Sequence, residues 1–383
     1  MTAATATPAP PASSRDKRNS LTAGQLPGWI GAAVLIGAFV VSGLIFGAAW
    51  MLSDKPFLRL NAATGAFLGM NFNWGAWLAV AALLYLVGIW AISFAVEGKR
   101  AATNRFVSGM VTVAFVLAMI PLASLLYTLF VNGIPGFNAQ FFTKDAARPS
   151  TGGGLHAIVG TLLITLATSL ISVPIGIFTA IYLVEYGKGN WLSKAINFFV
   201  DVMTGVPSIV AGLFAYALFL LVASSLGAQI TNLRVGVAGA IALVVLMIPT
   251  VVRSAEEMIR LVPDDLREAS YALGVPKWRT IAKVVLPTAL AGLVTGVLLA
   301  IARVIGETAP LLVAAGMSQY MNFNLFENAM SSLPTFVYQS WKFTSEAGNQ
   351  LAWTGALVLL LIVMLLNVVG RLVSHFFSPK GDR

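Results

Sequence analysis

Apolar residues along this chain come in long continuous runs. They show neither the three-to-four-residue spacing of a half-buried helix nor the alternation of a half-buried strand. The first run goes from Trp29 to about Leu52, and seven more follow at about 75–96, 107–131, 156–184, 200–224, 235–252, 286–307 and 351–374. Each is long enough to cross roughly 30 Å of hydrocarbon at about 1.5 Å per residue. The pattern predicts eight membrane helices in an all-α polytopic bundle, because a chain surrounded by lipid must satisfy its backbone within each segment. Residues 1–28 are rich in Ala, Thr, Pro and Ser and lack the apolar mass to fold, which predicts a disordered tail. The first run is too long for a signal-peptide core and lacks a convincing cleavage site, so it is expected to remain as a membrane helix.

Composition agrees, with 58% hydrophobic and 10% charged residues, against about 25% charged in soluble proteins. A net charge of +9 would suggest nucleic acid in a soluble domain, but here the basic residues sort by side of the membrane. Segments 1–28, 97–106, 185–199, 253–285 and the tail from Arg371 carry 17 of the 24 Lys and Arg residues. Six others, Lys55, Arg59, Lys144, Arg148, Arg234 and Lys342, fall on the opposite side, and Arg303 lies within a span. The asymmetry predicts a multi-pass protein of the lipid membrane with both termini in the cytoplasm, and it accounts for the basic balance without nucleic acid. Asn71-Phe72-Asn73-Trp74 and Tyr186-Gly187-Lys188-Gly189-Asn190-Trp191 supply turn residues and interfacial tryptophans at two boundaries.

The same inventory excludes several chemistries. With no cysteine there is no disulfide or thiolate site, and two histidines, His156 and His375, make a metal cluster improbable. Both are expected at helix ends, and no cofactor or metal is predicted. No Gly-x-x-x-x-Gly-Lys-Ser/Thr loop is present, so the chain should not bind ATP itself. No paired acids or nucleophile–base set appears within a span, so it is not read as an enzyme.

The candidate chemistry lies in Arg303, Glu307 and the adjoining Thr308, inside an otherwise apolar segment that continues through Pro310. A charge near the centre of a bilayer helix costs about 2.5–3.5 kcal/mol on insertion scales, so a partner or a watered cavity is expected. One helical turn would put Arg303 and Glu307 on one face, where they either pair with each other or jointly address something in a cavity. Counting outward from Leu286 puts Arg303 in the outer half of its span. Pro174, Pro207 and Pro249 are expected to kink their helices. In the span that opens with Asp201, Gly205, Pro207, Ser208 and Gly212 are candidate hinge or gate positions, although small residues equally permit close helix approach.

The one sizeable polar loop between spans runs from Arg253 to Val285. Asp264 and Asp265 suit a helix start, Gly274 suits its left-handed cap, and a further helix should follow Pro276. This predicts a compact helix-turn-helix with Leu266, Ala269 and Leu273 on one side and charges on the other, fit for a membrane interface or for a groove in a partner.

Glu268-Ala269-Ser270, Gly274 and Val284-Val285-Leu286-Pro287 stand at the spacing of the loop pattern of bacterial ABC importer permeases, which the chain resembles. The resemblance implies that Glu268, Ala269, Gly274, Leu286 and Pro287 couple the chain to an ATPase subunit dimer. Residues 302–312 resemble the signature of phosphate-specific permease subunits, and 205–212 and Ser332-Leu333-Pro334 followed by Val337-Tyr338 resemble their A-type members. It covers about residues 107–376, a six-span core of the type I importer fold, and leaves the two helices of 29–106 and the tail 377–383 outside it. It further implies a bacterial cytoplasmic membrane, a C-type partner permease and an extracytoplasmic phosphate-binding protein. The outer segment 317–350, with Phe323, Phe326, Phe336, Tyr338 and Trp341, is expected to lie on the outer surface as a dock or a lid.

With that family in view, the arginine's fixed fork of donors matches a tetrahedral oxyanion. A carboxylate at Glu307 could accept the proton that phosphate keeps and sulfate lacks. A plain Arg303–Glu307 salt bridge, a related oxyanion (phosphonate, sulfate or molybdate) and a stand-alone secondary transporter or channel remain the alternatives.

Overall fold

The computed structural model describes residues 26–52, 58–60, 67–70, 74–147, 152–187, 189–227, 234–342 and 345–377. Of the two expected tails, only residues 26–28 and Phe377 fall among these. Eight helices are long and apolar enough to cross a membrane among the described residues, as the hydropathy runs predict. The chain divides into two compact units, residues 1–125 and 126–383, each described by itself.

The first unit holds α1 (Ile30–Met51), a two-stranded antiparallel hairpin of β1 (Leu58–Leu60) and β2 (Phe67–Met70), α2 (Trp74–Glu97) and most of α3 (Lys99–Gly133). The hairpin is an addition to the all-helical expectation. α1 and α2 are joined by Ser42, whose hydroxyl donates to the Trp77 carbonyl at 2.9 Å. The corner between α2 and α3 turns on Gly98 at φ +88°, a conformation that glycine reaches without cost. Glu97 locks this corner by accepting two hydrogen bonds from Arg105, at 2.6 and 2.7 Å, and one from Ser93 at 2.6 Å.

In the second unit the core is built on α5 (Leu155–Ile181), α8 (Gly236–Arg260) and α11 (Leu286–Ile305). Ile164, Leu243, Met247, Val251, Val304 and Leu311 form its centre. α5 and α8 run parallel: Gly176 faces Val251, and the Thr168 hydroxyl reaches the Ala240 carbonyl at 3.3 Å. α11 returns antiparallel, with Gly292 against Met258 and Gly296 against Ser254. At one end of this bundle lie α9 (Asp264–Ala272) and α10 (Lys277–Thr280). The opposite end carries α4 (Ala139–Thr143) and α13 (Leu333–Lys342), and α14 (Glu346–Phe377) closes the chain. Phe336 belongs to that end's core, buried against Phe141 and His156, and is not a surface aromatic as the segment's composition suggests. Phe323, Phe326 and Trp341 do stay exposed.

Two spans are broken rather than kinked. The run read as 200–224 is α6 (Trp191–Thr204) followed by α7 (Ser208–Ser225), with Pro207 at φ −58° and ψ 134° preceding the second helix. Proline disfavours helical geometry in the residue before it, and here the chain leaves the helix and restarts. α11 likewise stops at Ile305, and α12 (Ala309–Ala314) restarts two residues past Glu307. Pro174 and Pro249 stay within α5 and α8, as does Pro121 within α3.

Glycine is required where backbones touch. A Cβ on Gly160 would lie 2.1 Å from the Ser331 carbonyl oxygen, whereas one on Gly205 would meet nothing closer than 3.5 Å. Gly160→Ala should therefore cost about 1–3 kcal/mol by overpacking, and Gly205→Ala should be tolerated. Thermal unfolding of the two detergent-purified variants checks this, and equal midpoints would contradict the packing.

Candidate functional site

The polar loop forms the helix-turn-helix its sequence predicts, with the Leu266, Ala269 and Leu273 side turned outward. α9 begins at Asp264, ends at Ala272, and is followed by Gly274 at φ +76°. The face turned to the bundle carries Arg267 and Ser270, both 8% exposed, while Leu266, Leu273 and Trp278 are 42%, 83% and 61% exposed. The helix thus buries its arginine and presents its leucines.

That arginine fastens the loop to the membrane helices. Its Nε donates to Glu185 at 3.0 Å, Nη1 to the Val262 carbonyl at 2.6 Å and Asp264 at 2.9 Å, and Nη2 to the Ile259 carbonyl at 3.0 Å. Glu185 lies in the π-helical turn Tyr182–Tyr186 that ends α5. The two carbonyls belong to the last turn of α8 and the residues just past it, where orphan acceptors need partners. Lys277 donates to the Glu185 carbonyl and lies 4.8 Å from the Tyr186 ring centre, and Ser270 bonds Thr280 at 2.8 Å across the turn. Partial burial, then the Glu185 carboxylate, hold the Tyr271 phenol above its ordinary value.

Of the sequence-predicted coupling residues, Glu268 and Ala269 are exposed on α9 and Gly274 caps it. Leu286 and Pro287 open α11, which continues from α10 through a π-helical turn at Ile281–Val285. Arg267, Glu185 and Lys277 were not singled out by sequence. Nothing in the chain signals that Arg267 and Glu185, 82 positions apart, meet.

A second charged cluster ties α6 to α8. Arg253 bridges Glu256 at 2.7 Å and Asp201 at 2.5 Å, and donates to Asn197 at 3.0 Å. Asp201 therefore belongs to the last turn of α6 and does not open a span.

The intramembrane pair is rearranged relative to expectation. α11 ends between its two members: the Gly306 amide bonds the Arg303 carbonyl and the Glu307 amide bonds Val304, so Glu307 lies off the helix rather than one turn along it. Among the described residues no ion pair joins Arg303 to Glu307. The guanidinium instead reaches Thr250 on α8 at 3.4 Å. Thr250 lies 14 residues from Gly236 and ten from Arg260, or about 21 and 15 Å along the helix. The group thus sits beside the middle of α8, while the Arg303 Cα lies in the last turn of α11, at the end away from the α9 loop. Helical side chains lean back toward their own amino terminus, which carries this long one down the bundle. Arg303 is exposed on this chain, and Glu307 and Thr308 are half-buried in the break between α11 and α12.

Gly212 meets the break from the other side. A Cβ there would lie 2.7 Å from the Pro310 Cα, so close approach of α7 to α12 explains this glycine. Gly205 caps α6 at φ −85°, and the interruption itself is carried by Pro207 and Ser208. No group of three or more metal-ligating side chains occurs among the described residues.

A lipid-spanning bundle with two broken helices and a projecting, clamped loop defines a transport permease of the type I ABC importer architecture. A family profile described as binding-protein-dependent transport system inner membrane component matches residues 172–382. The chain belongs to this family, and within it to the PstA permeases. The phosphate transport system permease protein PstA 1 of Mycobacterium tuberculosis (strain ATCC 25618 / H37Rv) is 42% identical over 290 residues, covering 74% of this chain and 91% of the relative. PstA of Pasteurella multocida (strain Pm70) is 39% identical over 283 residues, covering 74% and 97%. The bacterial alginate ABC transporter solved with its alginate-bound periplasmic protein contains a chain alike in fold, with a TM-score of 0.55 at 14% identity over 73% of this chain and 97% of that one.

Removing one partner of a buried ion pair costs about 3–5 kcal/mol. Arg267→Met should therefore loosen α9, and limited proteolysis between Val262 and Pro276 should run faster. Adding Glu185→Gln should restore much of the protection. Equal cleavage of Arg267→Met and the wild type would sink the clamp.

Proposed function

We propose that this chain is the A-type permease subunit of an ATP-driven importer of inorganic phosphate in the bacterial cytoplasmic membrane. The observation that carries this reading is its kinship with PstA permeases across about three quarters of its length, 74% in two relatives. Residues 107–376 serve as the six-span core, and 29–106 add two helices to it. A homologous C-type permease completes the pathway, an ATPase dimer drives it, and an extracytoplasmic phosphate-binding protein delivers substrate. The termini lie in the cytoplasm, as the Lys and Arg asymmetry supports.

Energy enters through α9. Leu266, Leu273 and Trp278 form an exposed apolar knob beside Glu268 and Ala269, suited to a groove in the ATPase. Through Arg267 and Glu185 a pull on that knob reaches α5 and α8 together. The broken helices α6–α7 and α11–α12 give way at Pro207 and Gly306, opening and closing the path.

Arg303 is the anion contact. A guanidinium exposed on its own subunit yet lying within a span is expensive against lipid, so it faces the path shared with the partner permease. Its planar fork fits a tetrahedral oxyanion. Glu307 and Thr308 stand at the break where α11 gives way, and the carboxylate accepts the proton of phosphate while repelling sulfate.

Both roles are testable in vesicles holding the full complex. Arg303→Gln should assemble normally yet lose phosphate uptake by an order of magnitude or more, since a bond to a charged group contributes about 1.5–3 kcal/mol. Normal uptake in that variant would end the site assignment while leaving the fold intact. Glu307→Gln should narrow the preference for phosphate over sulfate, and an unchanged preference would remove its selectivity role.

A further inference from the structure

Thr161, Thr168, Thr204, Thr288 and Thr295 each donate their hydroxyl to the carbonyl four residues back in their helix, at 2.7–2.9 Å. Thr250 does not. Its hydroxyl stands 3.5 Å from the equivalent Leu246 carbonyl, well beyond the roughly 2.7–2.8 Å of a good bond between a hydroxyl and an oxygen. Pro249 precedes it inside α8 and has no amide to give the Val245 carbonyl, which loosens this turn. The hydroxyl is therefore poorly engaged by its own helix.

Its other neighbour is a donor, not an acceptor. The Arg303 guanidinium on α11 reaches the same oxygen at 3.4 Å, itself a long contact, and forms no ion pair among the described residues. A guanidinium fork and a hydroxyl proton thus stand side by side within a span, neither spent on a good acceptor. Thr250 is half-buried and Arg303 exposed, so neither is sealed in the core. Unspent donors at membrane depth are costly. A water could accept from both, but it would leave the arginine's charge unopposed, whereas an anion with several oxygens satisfies both groups and the charge together.

We propose that the Thr250 hydroxyl is a ligand of the transported oxyanion, donating to one oxygen while the Arg303 fork holds others. The assignment rests on the reading of Arg303 as the anion contact and adds to it a second residue on a second helix. An anion held this way bridges α11 to α8 beside Pro249, and the last turn of that same α8 is held by Arg267. Occupancy of the path is thereby joined to the helix that carries the clamped loop.

Initial rates of phosphate uptake in vesicles holding the full complex test the assignment. Thr250→Val keeps the branched shape and removes the hydroxyl, and its uptake should fall about tenfold or more, the scale of a lost hydrogen bond to a charged group. Thr250→Ser restores the hydroxyl and should retain most of the wild-type rate. If Thr250→Val does not assemble, Thr250→Ala takes its place with the same expectation. A near-normal rate without the hydroxyl, or a serine variant as impaired as the valine one, would overturn the assignment. Arg303→Gln measured alongside separates the two claims. Normal uptake there ends the anion contact and the Thr250 role with it, whereas a defective Arg303→Gln beside a normal Thr250→Val ends the Thr250 role alone.

Discussion

A guanidinium buried against a carboxylate and two helix-end carbonyls holds this structure in the form that can work. Arg267 satisfies the exposed acceptors at the end of α8 and the carboxylate at the end of α5 with one planar group. Burying that charge would be costly without such complete pairing. Because the arginine takes the inner face of α9, the leucines are left outside as an exposed apolar knob. The clamp and the knob are therefore two consequences of one side chain.

What the clamp holds is a bundle with built-in weak points. α5, α8 and α11 pack tightly through glycines and small residues, and interiors of that density transmit displacement rather than absorb it. The interruptions at 205–207 and 306–308 are places where backbone hydrogen bonding is already broken, so a rotation there disrupts few further bonds. Their two outer pieces, α7 and α12, meet at Gly212 and Pro310 and are expected to move as one body.

Much of this was legible in the sequence, for reasons that differ by element. The eight spans follow from hydropathy alone, and the limits of α9 follow from Asp264, Asp265 and Gly274, each a local signal with a local cause. The breaks were harder. In the sequence Pro207 reads as a kink because the run of apolar residues on both sides looks continuous, and only the fold decides between bending and restarting. Pro310 offered a usable sign, since proline at the first turn of a helix implies a new start, and that start takes Glu307 off the face of Arg303. The Arg267–Glu185 contact had no local signal at all, being made by residues from different helices. Residue counting locates the Arg303 Cα at the far end of α11, while its long side chain reaches back toward Thr250 near the middle of α8.

The central claim is that motion of an ATPase, delivered through α9, drives the path lined by Arg303. Vesicles reconstituted with this chain, its partner permease, its ATPase and the binding protein measure it most directly, with phosphate uptake followed under ATP alone and under an ion gradient alone. Uptake that requires ATP and ignores the gradient is the expected result. Uptake sustained by the gradient in the absence of ATP, or by this chain without an ATPase, would contradict the account.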